Sequence, residues 1–216
     1  MVLGPWSMGL IVSTAQEAIP HEALSLSDNC EIGPDGSIKQ RLGYDLYNAQ
    51  IDATSAITVL GEHRFSASAT RKYAVCNTKF YEDVAGTWTD RTGAAVITSA
   101  TLNYWSASSC FGTLFLCSST NGQYKWSAAG GDLAAAGVSA RFTAAKMCEY
   151  FDSVLWYGST SGGGDESYVW RTDTASFETI GVNNYHLTDG PLTGLKSFGA
   201  SIMLHNSKGI WSLSPT

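Results

Sequence analysis

Four histidines, five cysteines and two close pairs of carboxylates are the residues in this 216-residue chain best suited to chemistry. A hydrolytic triad needs a nucleophile beside an activating base. His21, His63, His186 and His205 fall in no nucleophile or metal-binding motif. The stretch Gly158-Ser159-Thr160-Ser161-Gly162-Gly163-Gly164 puts threonine where a nucleophile elbow needs serine. It also lacks the lysine of a phosphate-binding loop, and it reads as a flexible loop at a hairpin tip. Cys30, Cys76, Cys110, Cys117 and Cys148 are odd in number and contain no C-x-x-C pair, which argues against a zinc site or a redox pair. Reduced, largely buried thiols are expected. The pairs Glu149/Asp152 and Asp165/Glu166 could serve acid–base hydrolysis, but with no positioning residues nearby they read as solvated turn charges. No catalytic residue, no cofactor and no metal is assigned, and the expectation is a protein that is not an enzyme.

The elements that carry these residues follow from composition and repetition. Charged residues make up 15% of the chain and aromatics 12%, with a formal net charge of −6. Such a surface is polar through Ser, Thr, Asn and Gly more than through charge. No run of Lys or Arg supplies a nucleic-acid footprint. No apolar stretch approaches the roughly 20 residues of a membrane-spanning helix, and the N-terminus lacks the basic start of a secretory signal.

From about residue 55 the chain repeats itself. CFGTLFLCSSTNGQYKW, YFDSVLWYGSTSGGGDESYVW and SFGASIMLHNSKGIW align. Each opens on an aromatic residue: Phe111, Phe151 or Phe198. Each runs through an apolar strand and a polar turn to Trp126, Trp170 or Trp211. An Asx residue (Asn121, Asp165, Asn206) stands five positions before each tryptophan, a residue type suited to hairpin tips. KYAVCNTKFY, around Tyr73, is a weaker earlier copy. Short β-prone stretches precede the copies at Ile57–Leu60, Thr101–Trp105, Arg141–Met147 and Leu192–Leu195. A fourth candidate strand or turn follows three of the copies, around Trp88, Leu133–Val138 and Phe177–Val182.

Three or four short strands per unit, at a period near 40–47 residues, predict an all-β, β-propeller-like fold of about four blades of antiparallel strands. LFLC and VLWY are apolar on both faces, so their strands must be covered on both sides. The six repeat residues Phe111, Trp126, Phe151, Trp170, Phe198 and Trp211 are therefore expected in the blade cores. The hairpins resemble the Asp-box of propeller glycosidases in their Asx-to-Trp spacing, but glycine falls at other offsets, which points to shared hairpin packing.

Residues 1–50 read as an extended arm and hairpin, and 51–216 as the repeat domain. Pro34-Asp35-Gly36 supplies a turn before the strand Ile38–Tyr47. That strand either completes the fourth unit and closes the ring, or the propeller is partial and completed by other subunits. Pro5, Trp6, Leu10 and Ile11 form an apolar segment suited to docking on a neighbour.

The order of these features resembles a group of tailed-bacteriophage structural proteins with β-propeller folds. The matching stretches are Met8-Gly9-Leu10, Ile19-Pro20-His21-Glu22-Ala23-Leu24-Ser25, Asn29, Asp35-Gly36-Ser37-Ile38 and Arg41-Leu42-Gly43-Tyr44, then FDSVLWYG (151–158) and DGPLTGLKSFGASIML (189–204). The resemblance implies a virion protein of the tail or head-to-tail region, such as a nozzle or hub, assembled in the host cytoplasm. Its partners would be other tail or connector subunits and copies of itself in a ring, with no direct nucleic-acid specificity. The alternative is a propeller lectin or host-receptor-binding protein, which would need an exposed tryptophan such as Trp105 or Trp156.

Overall fold

The computed structural model describes residues 30–32, 38–40, 50–52, 55–98, 105–138, 141–161, 166–174 and 176–214. The chain divides into two compact units, 1–47 and 48–216. In the first, β1 (Cys30–Ile32) and β2 (Ile38–Gln40) pair antiparallel, Cys30 opposite Gln40 and Ile32 opposite Ile38.

The second unit holds four antiparallel sheets, and no helix occurs among the described residues. The first sheet is β3 (Ile57–Ser66), β4 (Ala69–Cys76), β5 (Lys79–Val84) and β6 (Thr87–Asp90). The second is β7 (Trp105–Cys110), β8 (Thr113–Ser118), β9 (Gly122–Trp126) and β10 (Ala134–Ala135). The third is β11 (Ala144–Phe151), β12 (Val154–Ser161), β13 (Tyr168–Arg171) and β14 (Tyr185–Leu187). The fourth is β15 (Leu192–Phe198), β16 (Ser201–Asn206) and β17 (Gly209–Leu213). Within each sheet, every strand pairs with the next one in sequence.

Tight turns make this order possible. Phe111 and Gly112 join β7 to β8 with φ of 43° and 74°, Asp152 and Ser153 join β11 to β12 with 50° and 63°, and Ala85 and Gly86 join β5 to β6 with 50° and 88°. Two successive positive φ values match the right-handed twist of the flanking strands. Gly112 has a second constraint: a Cβ there would lie 2.5 Å from the carbonyl oxygen of Phe65. At the β16–β17 turn, Asn206 Oδ1 accepts from the N–H groups of Lys208 (2.9 Å) and Gly209 (3.0 Å). That is the tip role its residue type suggests.

The sheets pack in chain order with an apolar layer between each successive pair. Tyr73, Val75 and Phe80 meet Leu114, Leu116, Tyr124 and Trp126 in the first layer. Phe115 and Cys117 meet Cys148, Leu155, Tyr157 and Trp170 in the second. Val154, Trp156 and Val169 meet Leu192, Ile202 and Leu204 in the third. The alternation inside β8 and β12 explains their doubly apolar sequences. Leu114 and Leu116 face one neighbouring sheet, while Phe115 and Cys117 face the other. The first strands of the sheets run as neighbours, β3 beside β7, β7 beside β11, and β11 beside β15.

Two expectations change. Ile38–Gln40 is paired with β1, and the fourth sheet contains three strands; positions 41–47 of the expected closing strand lie outside the described residues. Phe177–Val182, read as a strand or turn, forms turns and loop, and the fourth strand of the third sheet is Tyr185–Leu187. Phe177 and Ile180 are used otherwise, packing into the layer between the second and third sheets. Finally, Gly158–Ser161 is the end of strand β12, not a loop, with positions 162–165 outside the described residues.

Candidate functional site

Three carboxylates lie between sheets. Glu82 on β5, 1% exposed, holds Arg71 at 3.3 Å and Arg91 at 2.9 Å, and accepts the N–H of Gly130 from the loop after β9. Glu178 takes Lys125 Nζ at 2.6 Å and the N–H of Gly137 at 2.5 Å. Burial alone would raise the Glu178 carboxyl, but these bonds outweigh it and hold the group below its usual value. Glu149 on β11, 5% exposed, accepts from Lys196 Nζ and from the Ser197 N–H and hydroxyl on β15. One carboxylate thus ties each pair of successive sheets. Glu149 is therefore not the solvated turn charge its sequence neighbourhood suggested. Glu166, by contrast, pairs with Lys146 on an exposed edge, and Asp165 lies outside the described residues. These carboxylates are committed to cations and backbone donors, an arrangement that fixes sheets in place.

The histidines are dispersed. His63 is buried, with Nδ1 bonded to Ser109 Oγ at 2.9 Å, and Nε2 has no hydrogen-bond partner. Burial lowers its imidazole from the ordinary value. His205 Nδ1 meets Thr193 Oγ1. Cys76, Cys110, Cys117 and Cys148 are free and buried, and burial pushes the Cys110 thiol up to about 12. Among the described residues, no three His, Cys, Asp or Glu side chains gather into a metal-binding group. No helix among them is long and apolar enough to cross a membrane.

The repeat residues separate into two kinds. Trp126 and Trp170 are buried and Phe151 is partly buried against the third layer. Phe111 and Phe198 are exposed, at 75% and 77%, and Trp211 is half exposed, so these three do not fill a core. Register sets Phe111 apart, while Phe198 shares the register of Phe151 but lies on the face of the fourth sheet that no described sheet covers. Phe111 occupies the turn itself, whereas Phe151 and Phe198 end the strands before their turns, opposite Val154 and Ser201. The structural counterpart of Phe151 in the second sheet is Cys110, opposite Thr113. The tryptophans are also out of phase: Trp170 lies opposite Tyr157 and Trp211 opposite Leu204, but Trp126 lies opposite Leu114, two places nearer the turn. Of the two tryptophans expected to be exposed, Trp156 is buried and Trp105 is half-buried. Pro5, Trp6, Leu10 and Ile11 lie outside the described residues.

Two open surfaces adjoin the fourth sheet. The first is the outer side of the fourth sheet. Ile202 and Leu204 face the third sheet, so the alternate residues Met203 and His205 face away, with Phe198 and Ile210 (64% exposed) beside them. The second is a cleft of about 210 Å³ between the third and fourth sheets. Trp156, Arg171 and His186 form one wall and Leu213 and Ser214 the other. The His186 ring stacks on the Trp156 indole at 5.7 Å and 22°. Neither surface was singled out from sequence. A glutamate among aromatic residues in mid-strand, as in KFYEDV or AAKMCEYF, was the available sign of the Glu82 and Glu149 ties.

Neither a scan of protein-family models nor a comparison with curated proteins finds a match.

Proposed function

We propose that this chain is a structural subunit of a tailed-phage particle, in the tail or head-to-tail region, and works by protein–protein assembly, not catalysis. The observation that carries this reading is the fourth sheet. Its outer face leaves Phe198 and Ile210 exposed. Large apolar side chains exposed together on one sheet face mark a surface that another chain covers.

In this reading the four sheets are propeller-like blades. Their first strands stand side by side, as the inner strands of a propeller do. The carboxylate ties and buried layers supply the rigidity that a particle component needs, and copies of the chain would assemble around an axis. Mass spectrometry and cryo-electron microscopy of purified particles test the proposal. The chain is expected in intact particles at a fixed copy number; its absence from them overturns the reading.

The receptor-binding alternative draws on a different feature, the cleft between the third and fourth sheets.

A further inference from the structure

We infer that this cleft binds a single acidic sugar unit, a pyranose ring carrying a carboxylate. The inference rests on the cleft alone and not on the assembly reading.

Its volume, about 210 Å³, lies below the roughly 300–1,000 Å³ of sites for drug-sized ligands, which limits the occupant to about one ring. The chemistry of its walls is mixed. Phe151 and Leu213, both partly exposed, give a small apolar side that suits the C–H face of a sugar, backed by the buried Val154 and Trp156. Arg171 supplies a guanidinium whose side chain makes no ion pair or hydrogen bond among the described residues. The other interface cations, Arg71, Arg91, Lys125 and Lys196, all have carboxylate partners. A guanidinium left over at a cleft calls for a planar oxyanion, which it grips with two parallel bonds.

Asp152 sits on the rim at the β11–β12 turn, with Thr174 and Ser214 near it. That carboxylate repels any anion, so an anionic occupant needs hydroxyl donors that bond to it and offset the repulsion. An acidic pyranose carries an acid group, several hydroxyls and an apolar face together. His186 lines the cleft as a neutral ring, because burial and the adjacent Arg171 charge lower its imidazole from the ordinary value. Its stacking on Trp156 holds the wall before any ligand arrives.

The test uses the full chain with three probes: D-glucuronate, N-acetylneuraminate and uncharged D-glucose. Saturation-transfer NMR and tryptophan fluorescence follow the titrations. Saturable binding of at least one acidic sugar, weaker binding of glucose, and about a tenfold loss of affinity in Arg171→Gln are expected. The Arg171 side chain is exposed, so the variant should fold, as circular dichroism checks; should it not, His186→Ala decides, with the same weakening expected. The inference is overturned if neither acidic sugar saturates by about 50 mM, if glucose binds as well as they do, or if the decisive variant binds like the unaltered chain. Particle proteomics and sugar titration have separate readouts, so failure of one reading leaves the other standing.

Discussion

The N–H of Gly130 donates to both carboxylate oxygens of Glu82, each at 3.1 Å, across the boundary between the first and second sheets. Glu82 itself is 1% exposed, so its charge is held by Arg71, Arg91 and this one backbone group. Replacing it with glutamine removes the charge while the two arginines stay. A cost of about 1–3 kcal/mol is expected, because the arginines retain partial access to water. The midpoint of urea unfolding reads it. Asp189→Asn, which breaks the exposed Lys208 pair, should change that midpoint little.

Gly112 offers a steric test. A methyl group there meets the Phe65 carbonyl oxygen at 2.5 Å, on a backbone with φ of 74°. Gly112→Ala should destabilise the protein by about 1–3 kcal/mol. Gly199 also has positive φ, but nothing lies within 4 Å of its added Cβ. Gly199→Ala should therefore cost less, and thermal melting of the two variants side by side gives the comparison.

Acid should weaken the fold in two windows. The unfolded His63 imidazole titrates near 6.5, and burial lowers it in the folded chain. Between those values the unfolded state holds the extra proton, so stability is fully present above about pH 6.5 and falls as pH drops toward the folded value. His186 adds in the same direction. Glu178, also lowered, contributes only below its ordinary value of 4.5. Urea midpoints at pH 7.5 and 5.5 should differ in the native chain, and the difference should shrink in His63→Gln.

The four described thiols should resist alkylation. Cys76, Cys110, Cys117 and Cys148 are buried, and burial raises the thiols of Cys76, Cys110 and Cys117 above their usual value, which leaves little thiolate to react. Iodoacetamide labelling followed by peptide mapping should mark these positions only after unfolding.

The exposed apolar group on the fourth sheet should matter for association and not for folding. Ile210→Lys and Phe198→Ser alter side chains that are 64% and 77% exposed. Each should change stability by no more than about 0.5 kcal/mol, while incorporation into particles falls. Unchanged incorporation would remove the fourth sheet as the contact surface.

Sheet number and strand order were legible because apolar runs and turn residues recur along the chain, and β8 and β12 read as doubly covered strands before any coordinates. Register was not legible. Phe111 and Phe151 look equivalent in sequence, yet a two-residue turn begins at Phe111 in one case and at Asp152 in the other, so the aligned aromatics land on opposite sides of a strand end. The constant spacing from Asx to tryptophan hid a similar slip at Trp126, since loop lengths and strand pairing vary independently. The cleft was invisible for a simpler reason: Arg171, His186 and Leu213 come from three strands that only packing brings together.

The stacking of sheets in chain order also sets how damage spreads. Each sheet leans on its immediate neighbours, as units of a linear repeat do. Sheets two and three are gripped on both sides, whereas the first is gripped by the second alone and the fourth by the third alone among the described residues. Thermal opening should begin at these two end sheets and travel inward like a fraying cable, with amide protons in β6 and β17 exchanging before those in β8 and β12. A partner seated on the fourth sheet would act as the clip at the end of that cable.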